Sequence, residues 1–241
     1  MAGQLTLIPT PLDDNAPLEK SAWQALQQAA ADPQTLILAE ESRPARRRWI
    51  QWGLPREAVE RFINFNEHTA RQETPRIRQA LRQGQNAVLF SDTGMPAFCD
   101  PGTELVAACH QEGIKVTATY FPQSMVLAYT LAGVGGNFYF AGMLRGKQTA
   151  ERQQHLAQLL RRPETIILYD TPYRLHQLGQ ELAAVHCTRH LFLACDLATP
   201  QEELFWGKRC AQAWATKVKR EFVLVIGPQG YQLPPMAREP L

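Results

Sequence analysis

The run Phe90-Ser91-Asp92-Thr93-Gly94-Met95-Pro96-Ala97-Phe98-Cys99-Asp100-Pro101-Gly102 gathers the residue types best suited to chemistry in this chain. Two carboxylates, Asp92 and Asp100, stand among glycines and prolines, directly after the apolar run Ala87-Val88-Leu89-Phe90. That run reads as a buried strand, and a helical pattern starts at Thr103. In an open α/β sheet, ligands gather outside the carboxyl ends of the strands. Glycine admits close backbone approach, and proline leaves few conformations. Such a loop can cradle a small molecule, or it can be a tight strand-to-helix turn in which Asp100 caps the next helix. Glu40 ends another apolar run, Leu36-Ile37-Leu38-Ala39, and carries the same two readings. The segment Arg43-Pro44-Ala45-Arg46-Arg47-Arg48-Trp49 is the clearest basic cluster. Its guanidiniums suit phosphate oxygens, and Trp49 or Trp52 suits stacking on a base. The alternative is a solvated helix face with both tryptophans turned to the core.

The elements that must position these residues alternate along the chain. Strand patterns fall at residues 5–8, 35–39, 62–63, 87–90 and 115–119. Helical patterns lie between them, around Trp23, through Trp49, at Ile77 and Leu81, and at Leu105, Val106 and Cys109. After Tyr120 the order is a helix at 124–132, a strand at 138–141, a helix marked by Leu156, Leu159 and Leu160, and a strand at 165–169. A helix marked by Leu175, Leu178 and Leu182 follows, then strands at 191–195 and 221–226. This alternation predicts an α/β fold with two domains, 1–120 and 121–241, the second with a more mixed sheet. The Pro-rich tail after Gly227 is expected to fray. Gly133-Val134-Gly135-Gly136 precedes a strand instead of following one, so it fails as a dinucleotide motif.

The chain has 241 residues and a formal net charge of +2, which neither announces nor excludes a nucleic-acid partner. No apolar run approaches the roughly 18 residues of a membrane helix, and the amino terminus does not resemble a signal peptide. Cys99, Cys109, Cys187, Cys195 and Cys210 are scattered without metal-site spacing. Reduced thiols, a cytoplasmic location and no bound metal are therefore expected.

In order along the chain, several motifs resemble those of one known family. Ile8-Pro9-Thr10-Pro11-Leu12-Asp13-Asp14 resembles the opening Val-Pro-Thr-Pro-Ile-Gly-Asn. Glu40-Glu41-Ser42-Arg43 resembles Glu-Asp-Thr-Arg, and Phe65-Asn66-Glu67-His68-Thr69 resembles Tyr-His-Glu-His-Asn. Ser91-Asp92-Thr93-Gly94-Met95-Pro96, with Cys99-Asp100-Pro101-Gly102, resembles Ser-Asp-Ala-Gly-Thr-Pro and Ser-Asp-Pro-Gly. Tyr169-Asp170-Thr171-Pro172-Tyr173-Arg174 resembles Tyr-Glu-Ser-Pro-His-Arg, and Arg220-Glu221-Phe222-Val223-Leu224-Val225 resembles Gly-Glu-Phe-Val-Leu-Val. The chain departs at Leu12-Asp13-Asp14, at Tyr120-Phe121-Pro122-Gln123-Ser124 and at Cys195, where the family has Ile-Gly-Asn, Pro-Gly-Pro-Ser and an arginine. Together these motifs resemble the tetrapyrrole methylase superfamily, and within it the small-subunit rRNA cytidine-2′-O-methyltransferase branch, whose common carboxyl-terminal extension is not expected here.

The resemblance implies two α/β domains with a cofactor cleft between them, S-adenosylmethionine (SAM) as cofactor, ribosomal RNA as partner, and a homodimer. The implied cofactor positions are Asp92, Thr93, Gly94, Met95 and Pro96 in the first domain. In the second they are Gln123, Ser124, Met125, Gly142, Met143, Leu144, Tyr169, Ala194 and Cys195. A hydroxyl acceptor must lose a proton, which makes Glu40, Glu67 and Asp92 candidate catalytic carboxylates, while His68 reads as a surface histidine. Arg43, Arg46, Arg47 and Arg48 are the candidate substrate-binding cations. Methylation of a small molecule, or an RNA- or ribosome-binding relative without turnover, are the alternatives.

Overall fold

The computed structural model describes residues 2–99, 101–121, 123–215 and 217–232; Asp100 and its expected cap lie outside them. The chain divides into two compact units, Met1–Gln123 and Ser124–Leu241.

The first unit is built on a five-stranded parallel sheet. Its strands are β1 (Gln4–Ile8), β2 (Leu36–Ala39), β3 (Phe62–Asn64), β4 (Ala87–Phe90) and β5 (Lys115–Ala118), in the order β3-β2-β4-β1-β5. Strand side chains alternate between faces with period two. Ile8, Ile37 and Phe90 meet α1 (Lys20–Ala31) and α2 (Ser42–Gln51) on one face. Leu7, Leu38 and Leu89 meet α3 (Ala70–Arg82) and α4 (Thr103–Gln111) on the other. The helix after the central strand β4 thus lies on the face opposite those after β1 and β2. A crevice opens where neighbouring strands send their connections to opposite faces, here at the carboxyl ends of β2, β4 and β1.

The second unit carries a mixed sheet. It comprises β6 (Phe138–Met143), β7 (Thr165–Tyr169), β8 (Leu191–Cys195), β9 (Glu203–Trp206) and β10 (Phe222–Ile226), in the order β6-β7-β10-β8-β9. Strands β6 and β7 run parallel, and every other pair is antiparallel. One face packs on α6 (Thr149–Leu159), α7 (Leu175–Ala184) and α8 (Cys210–Ala215). The other packs on α5 (Ser124–Ala132). Helices α7 and α8 cross so closely that a Cβ on Gly179 would lie 2.2 Å from the Trp214 ring. No helix among the described residues is long and apolar enough to cross a membrane.

Two elements escape a reading by hydrophobic period. Edge strand β9 buries only Phe205, and α8 is too short to show a repeat. The first residues of the tail correct an expectation, while 233–241 lie outside the described residues. The Gln229 backbone N–H donates to Pro163 O at 2.9 Å, and Tyr231 Oη donates to Gly133 O at 3.2 Å with its ring beside His190. Residues 228–232 therefore dock on the domain instead of fraying.

The interior of the second unit holds an ionic network. Arg152, fully buried on the stripe it shares with Leu156 and Leu159, pairs with Asp170 and with Glu181. Gln177 donates to Glu181 at 2.8 Å. Removing one partner of a buried pair strands the remaining charge at a cost of about 3–5 kcal/mol. Arg152→Met is expected to lower unfolding stability by about that amount, read as a fall in the urea midpoint.

Candidate active site

The carboxyl end of the first sheet is held by contacts between its loops. Thr10 and Gly94 exchange backbone hydrogen bonds of 2.9 and 3.0 Å, which joins the loops after β1 and β4. The buried Thr10 hydroxyl donates to Ser91 O at 3.1 Å, and Ser91 Oγ donates to Gly94 O at 2.9 Å. Gly94 is at φ 76, a region glycine enters without steric cost. Ala97 and Cys99 take φ values of 63 and 60 without that freedom, so this loop is held under local strain.

Arg48 completes the frame. Its guanidinium donates to Asp92 O, to Pro11 O at 2.6 Å and to Asp13 O at 3.4 Å. Asp14 stands 3.8 Å away, and the Trp52 ring lies 5.2 Å from the guanidinium carbon. With 2% of its side chain exposed, Arg48 is not part of an exposed basic face, which corrects its assignment to substrate binding. Trp49 and Trp52 are buried and offer no ring to a base. The signal was in the sequence. Ala45, Arg48, Trp49 and Trp52 are spaced i, i+3, i+4, i+7, a single helical stripe that faces the core. The exposed arginines of α2 are largely spent: Arg47 pairs with Asp14, and Arg46 lies 3.7 Å from Glu60. Arg43 is exposed and has no ion pair among the described residues.

Two of the three candidate carboxylates meet. The Asp92 backbone N–H donates to Glu40 Oε2 at 3.0 Å, so the residues following β2 and β4 are locked side by side. Burial and then the charge of Glu40 push the Asp92 carboxyl up to about 6, while the Glu41 backbone N–H and the Arg48 charge pull the other way. Asp92 Oδ1 is buried and has no hydrogen-bond partner among the described residues. A buried acceptor without a donor calls for an explanation, and a ligand donor or cationic group is one. Glu67 stands apart, exposed in the turn before α3, with His68 Nε2 3.4 Å from its carboxylate. Its neighbour Asn66 donates to Glu41 Oε1 at 2.9 Å, which ties that turn to the loop after β2. Thr93 is exposed, Pro96 is buried, and the Met95 side chain packs toward the core.

In the second unit, the carboxyl ends of β6, β7 and β8 line one edge of the sheet. Ser124 Oγ and Tyr169 Oη share a hydrogen bond of 2.8 Å, which pins the start of α5 to the end of β7. The β6–β7 register shifts between Phe140 and Gly142, and this bulge, with Gly142 at φ 66, leaves Met143 half exposed. Met125 packs on the α5 side of the sheet, and Gln123 is the last residue of the first unit. Leu144, Ala194 and Cys195 have buried side chains in the core, so only their backbone groups can face a ligand. Burial pushes the Cys195 thiol up to about 12, which leaves it an inert core residue. The Arg152 guanidinium donates to Leu144 O at 3.4 Å and to the Asp170 carboxylate, so it holds the exits of β6 and β7. Asp196 and Ala198, just past β8, take φ values of 47 and 61, a second strained loop at a strand end.

Comparison with known proteins gives this geometry a context. A family model described as tetrapyrrole (corrin/porphyrin) methylases matches residues 4–209. Proteins named ribosomal RNA small subunit methyltransferase I are similar over most of the chain. The one from Neisseria meningitidis serogroup B is 28% identical over 95% of this chain and 77% of its own length. Those from Escherichia coli O157:H7 and Synechocystis are 30% and 32% identical, each over 93% of this chain and over 77% and 78% of their lengths. Among solved structures, a diphthine synthase superposes with a TM-score of 0.67 at 11% identity, covering 94% of this chain and 90% of its own. A Thermus thermophilus uroporphyrin-III C-methyltransferase complexed with S-adenosylhomocysteine gives 0.59 at 18% identity, over 93% and 97%. These likenesses share the fold of two α/β units found here. Sequence and fold agree that the chain belongs to the tetrapyrrole methylase family.

Proposed function

We infer that the chain is a SAM-dependent methyltransferase acting on ribosomal RNA, with a ribose 2′-hydroxyl as the acceptor. The partnerless Asp92 oxygen beside Glu40 carries the assignment of the site. The substrate class rests on the similarity to the rRNA small subunit methyltransferases over most of both chains. SAM supplies a methyl group on a cationic sulfonium, next to a cationic amino group. Asp92 fits such a molecule because its free oxygen can accept a hydrogen bond and its charge opposes a cation. The backbone of Gly94 and Met95 offers further polar contacts within the first unit; the second unit, taken by itself, offers the backbone of Gly142, Leu144 and Ala194. Ser124, Met143 and Tyr169 offer side chains.

Methyl transfer is an in-line displacement, so positioning dominates its catalysis. The acceptor hydroxyl must also lose its proton, and a base is best matched when its pKa lies near the working pH. Asp92, at about 6, meets that condition, with Glu40 as the neighbour that helps to raise it. Glu67 stands in open solvent and is the weakest of the three candidates. The protein works in the cytoplasm, where its substrate is made, and as a homodimer. Edge strand β6 supports the dimer, since Phe138 and Tyr139 leave an aromatic, unpaired sheet edge open to solvent.

Asp92→Asn separates binding from folding. The folded Asp92 carboxyl lies above its ordinary value of 3.8, so its ionisation costs the folded state stability as pH rises from about 4 through 6. The variant is therefore expected to melt at pH 7.5 no lower than the wild type, while its affinity for SAM falls about tenfold or more. Wild-type SAM affinity is expected to drop below about pH 6, where Asp92 takes up a proton, and the variant's is not. Calorimetric titration across pH reads both, and equal affinity in the two proteins overturns the role of Asp92.

Incubation with methyl-tritiated SAM and small ribosomal subunits from cells lacking this protein tests the reaction. A 2′-O-methyl product is expected as label retained in an alkali-resistant dinucleotide. Label on a base overturns the acceptor, and SAM binding without transfer overturns the enzyme in favour of a binding role. Sedimentation tests the dimer: Phe138→Arg is expected to shift a dimer toward monomer.

A further inference from the structure

The exits of β6 and β7, the entry to β10 and the exit of β8 meet at one rim of the second sheet. Met143 pairs with Tyr169 in parallel register, Val223 pairs with Tyr169, and Phe222 pairs with Cys195 in antiparallel register. The loops that continue from these ends carry Arg145, Lys147, Tyr173, Arg174, Lys217 and Lys219. None of these five cations has an ion pair among the described residues, and all but Arg174 are exposed. Carboxylates on the same loops are largely spent: Asp170 on Arg152, and Asp196 and Glu203 on Arg220. Glu202 and Glu221 have no ion pair among the described residues, so these loops keep a positive excess. At its centre Tyr173 is 70% exposed, with Lys219 Nζ 4.2 Å from the ring centroid.

We propose that this rim, centred on Tyr173 and Lys219, is the surface that binds the RNA substrate, instead of the arginines of α2. An exposed aromatic ring among unpaired cations fits single-stranded RNA: cations neutralise phosphates, and the ring stacks on an unpaired base. The rim also adjoins Met143 and Tyr169, which are among the second unit's positions assigned to the cofactor. On α2, by contrast, Arg48 is buried, and Arg46 and Arg47 have carboxylate partners. The placement rests on the proposed action on RNA.

The test is fluorescence anisotropy with a fluorescein-labelled RNA hairpin carrying a single-stranded loop, read as a function of salt. Lys217→Ala/Lys219→Ala is expected to weaken binding about tenfold at 0.1 M salt and to flatten the log–log salt slope by about 1.5 to 2. Tyr173→Ala is expected to weaken it about fivefold or more with the slope unchanged, since stacking releases no counterions. The charge-matched control Arg161→Ala/Arg209→Ala alters exposed arginines at the opposite end of the second sheet and is expected to bind as the wild type does. SAM titration of every variant establishes that each is folded. If the wild type binds RNA and the rim variants bind equally well, or the loss follows Arg46→Ala/Arg47→Ala instead, the placement is overturned and the RNA reading stands. If the wild type shows no salt-dependent RNA binding, the reading falls together with the placement.

Discussion

The first unit depends on one buried guanidinium. The loops after β1 and β4 leave the sheet, so their carbonyls have no ladder partners, and a buried carbonyl without a donor is costly. Arg48 answers Pro11, Asp13 and Asp92 at once, from a helix on the far side of β2 in sequence. Burying a guanidinium costs several kcal/mol. Hydrogen bonds made by a charged donor contribute about 1.5–3 kcal/mol each, and Asp14 and the Trp52 ring add to them. The balance favours the charged, bonded state, and its geometric result is a fixed Asp92. With the peptide of Asp92 held by Arg48 on one side and Glu40 on the other, the Oδ1 oxygen of its carboxylate is the part left without a partner among the described residues.

Arg152 does the corresponding work in the second unit, between the exits of β6 and β7. Its partners differ, two carboxylates and one carbonyl, because the β7 exit supplies Asp170. In both units a helix lends a long cationic side chain to the carboxyl ends of the strands, where loops need donors and regular structure supplies none. Backbone strain collects at the same ends, at Ala97 and Cys99 after β4 and at Asp196 and Ala198 after β8. Strain of about 1–3 kcal/mol per residue persists only where surrounding contacts over-determine the backbone. The buried arginines and the Thr10–Gly94 bridge are contacts of that kind.

Hydrophobic period made most of the fold legible, because each buried strand is a short apolar run and each long helix shows a stripe. It failed at β9 and α8, where too few side chains are buried to make a pattern. Glu40 and Asp92 were legible as strand-end carboxylates; their mutual lock was not, because it depends on β2 and β4 being neighbours across a gap of 52 residues. The charge of Arg48 suggests a substrate-binding surface, but its place on the apolar stripe of α2 puts it in the core; Arg152, which carried no expectation from the sequence, lies on a stripe of the same kind. Cys195 and Leu144 show the converse. A motif fixes which backbone passes a site, but strand alternation decides which side chains turn to the core.

Net charge hid the most consequential feature of the surface. A formal charge of +2 on 241 residues suggests little attraction for a polyanion. What a polyanion meets is local, because exposed charges are screened beyond about 10 Å at 0.1 M salt. Within that distance an arginine paired with a carboxylate presents a dipole, whose field falls off faster than that of a lone charge. The densest run of arginines, on α2, is mostly of the paired kind. The five cations around Tyr173 come from loops separated in sequence by up to 74 residues, and nothing short of the sheet order brings them together. The antiparallel return of β10 beside β7 sets Lys219 over Tyr173 and leaves both the ring and the charge facing water. Topology, more than composition, thus decides where this chain can meet a phosphate backbone.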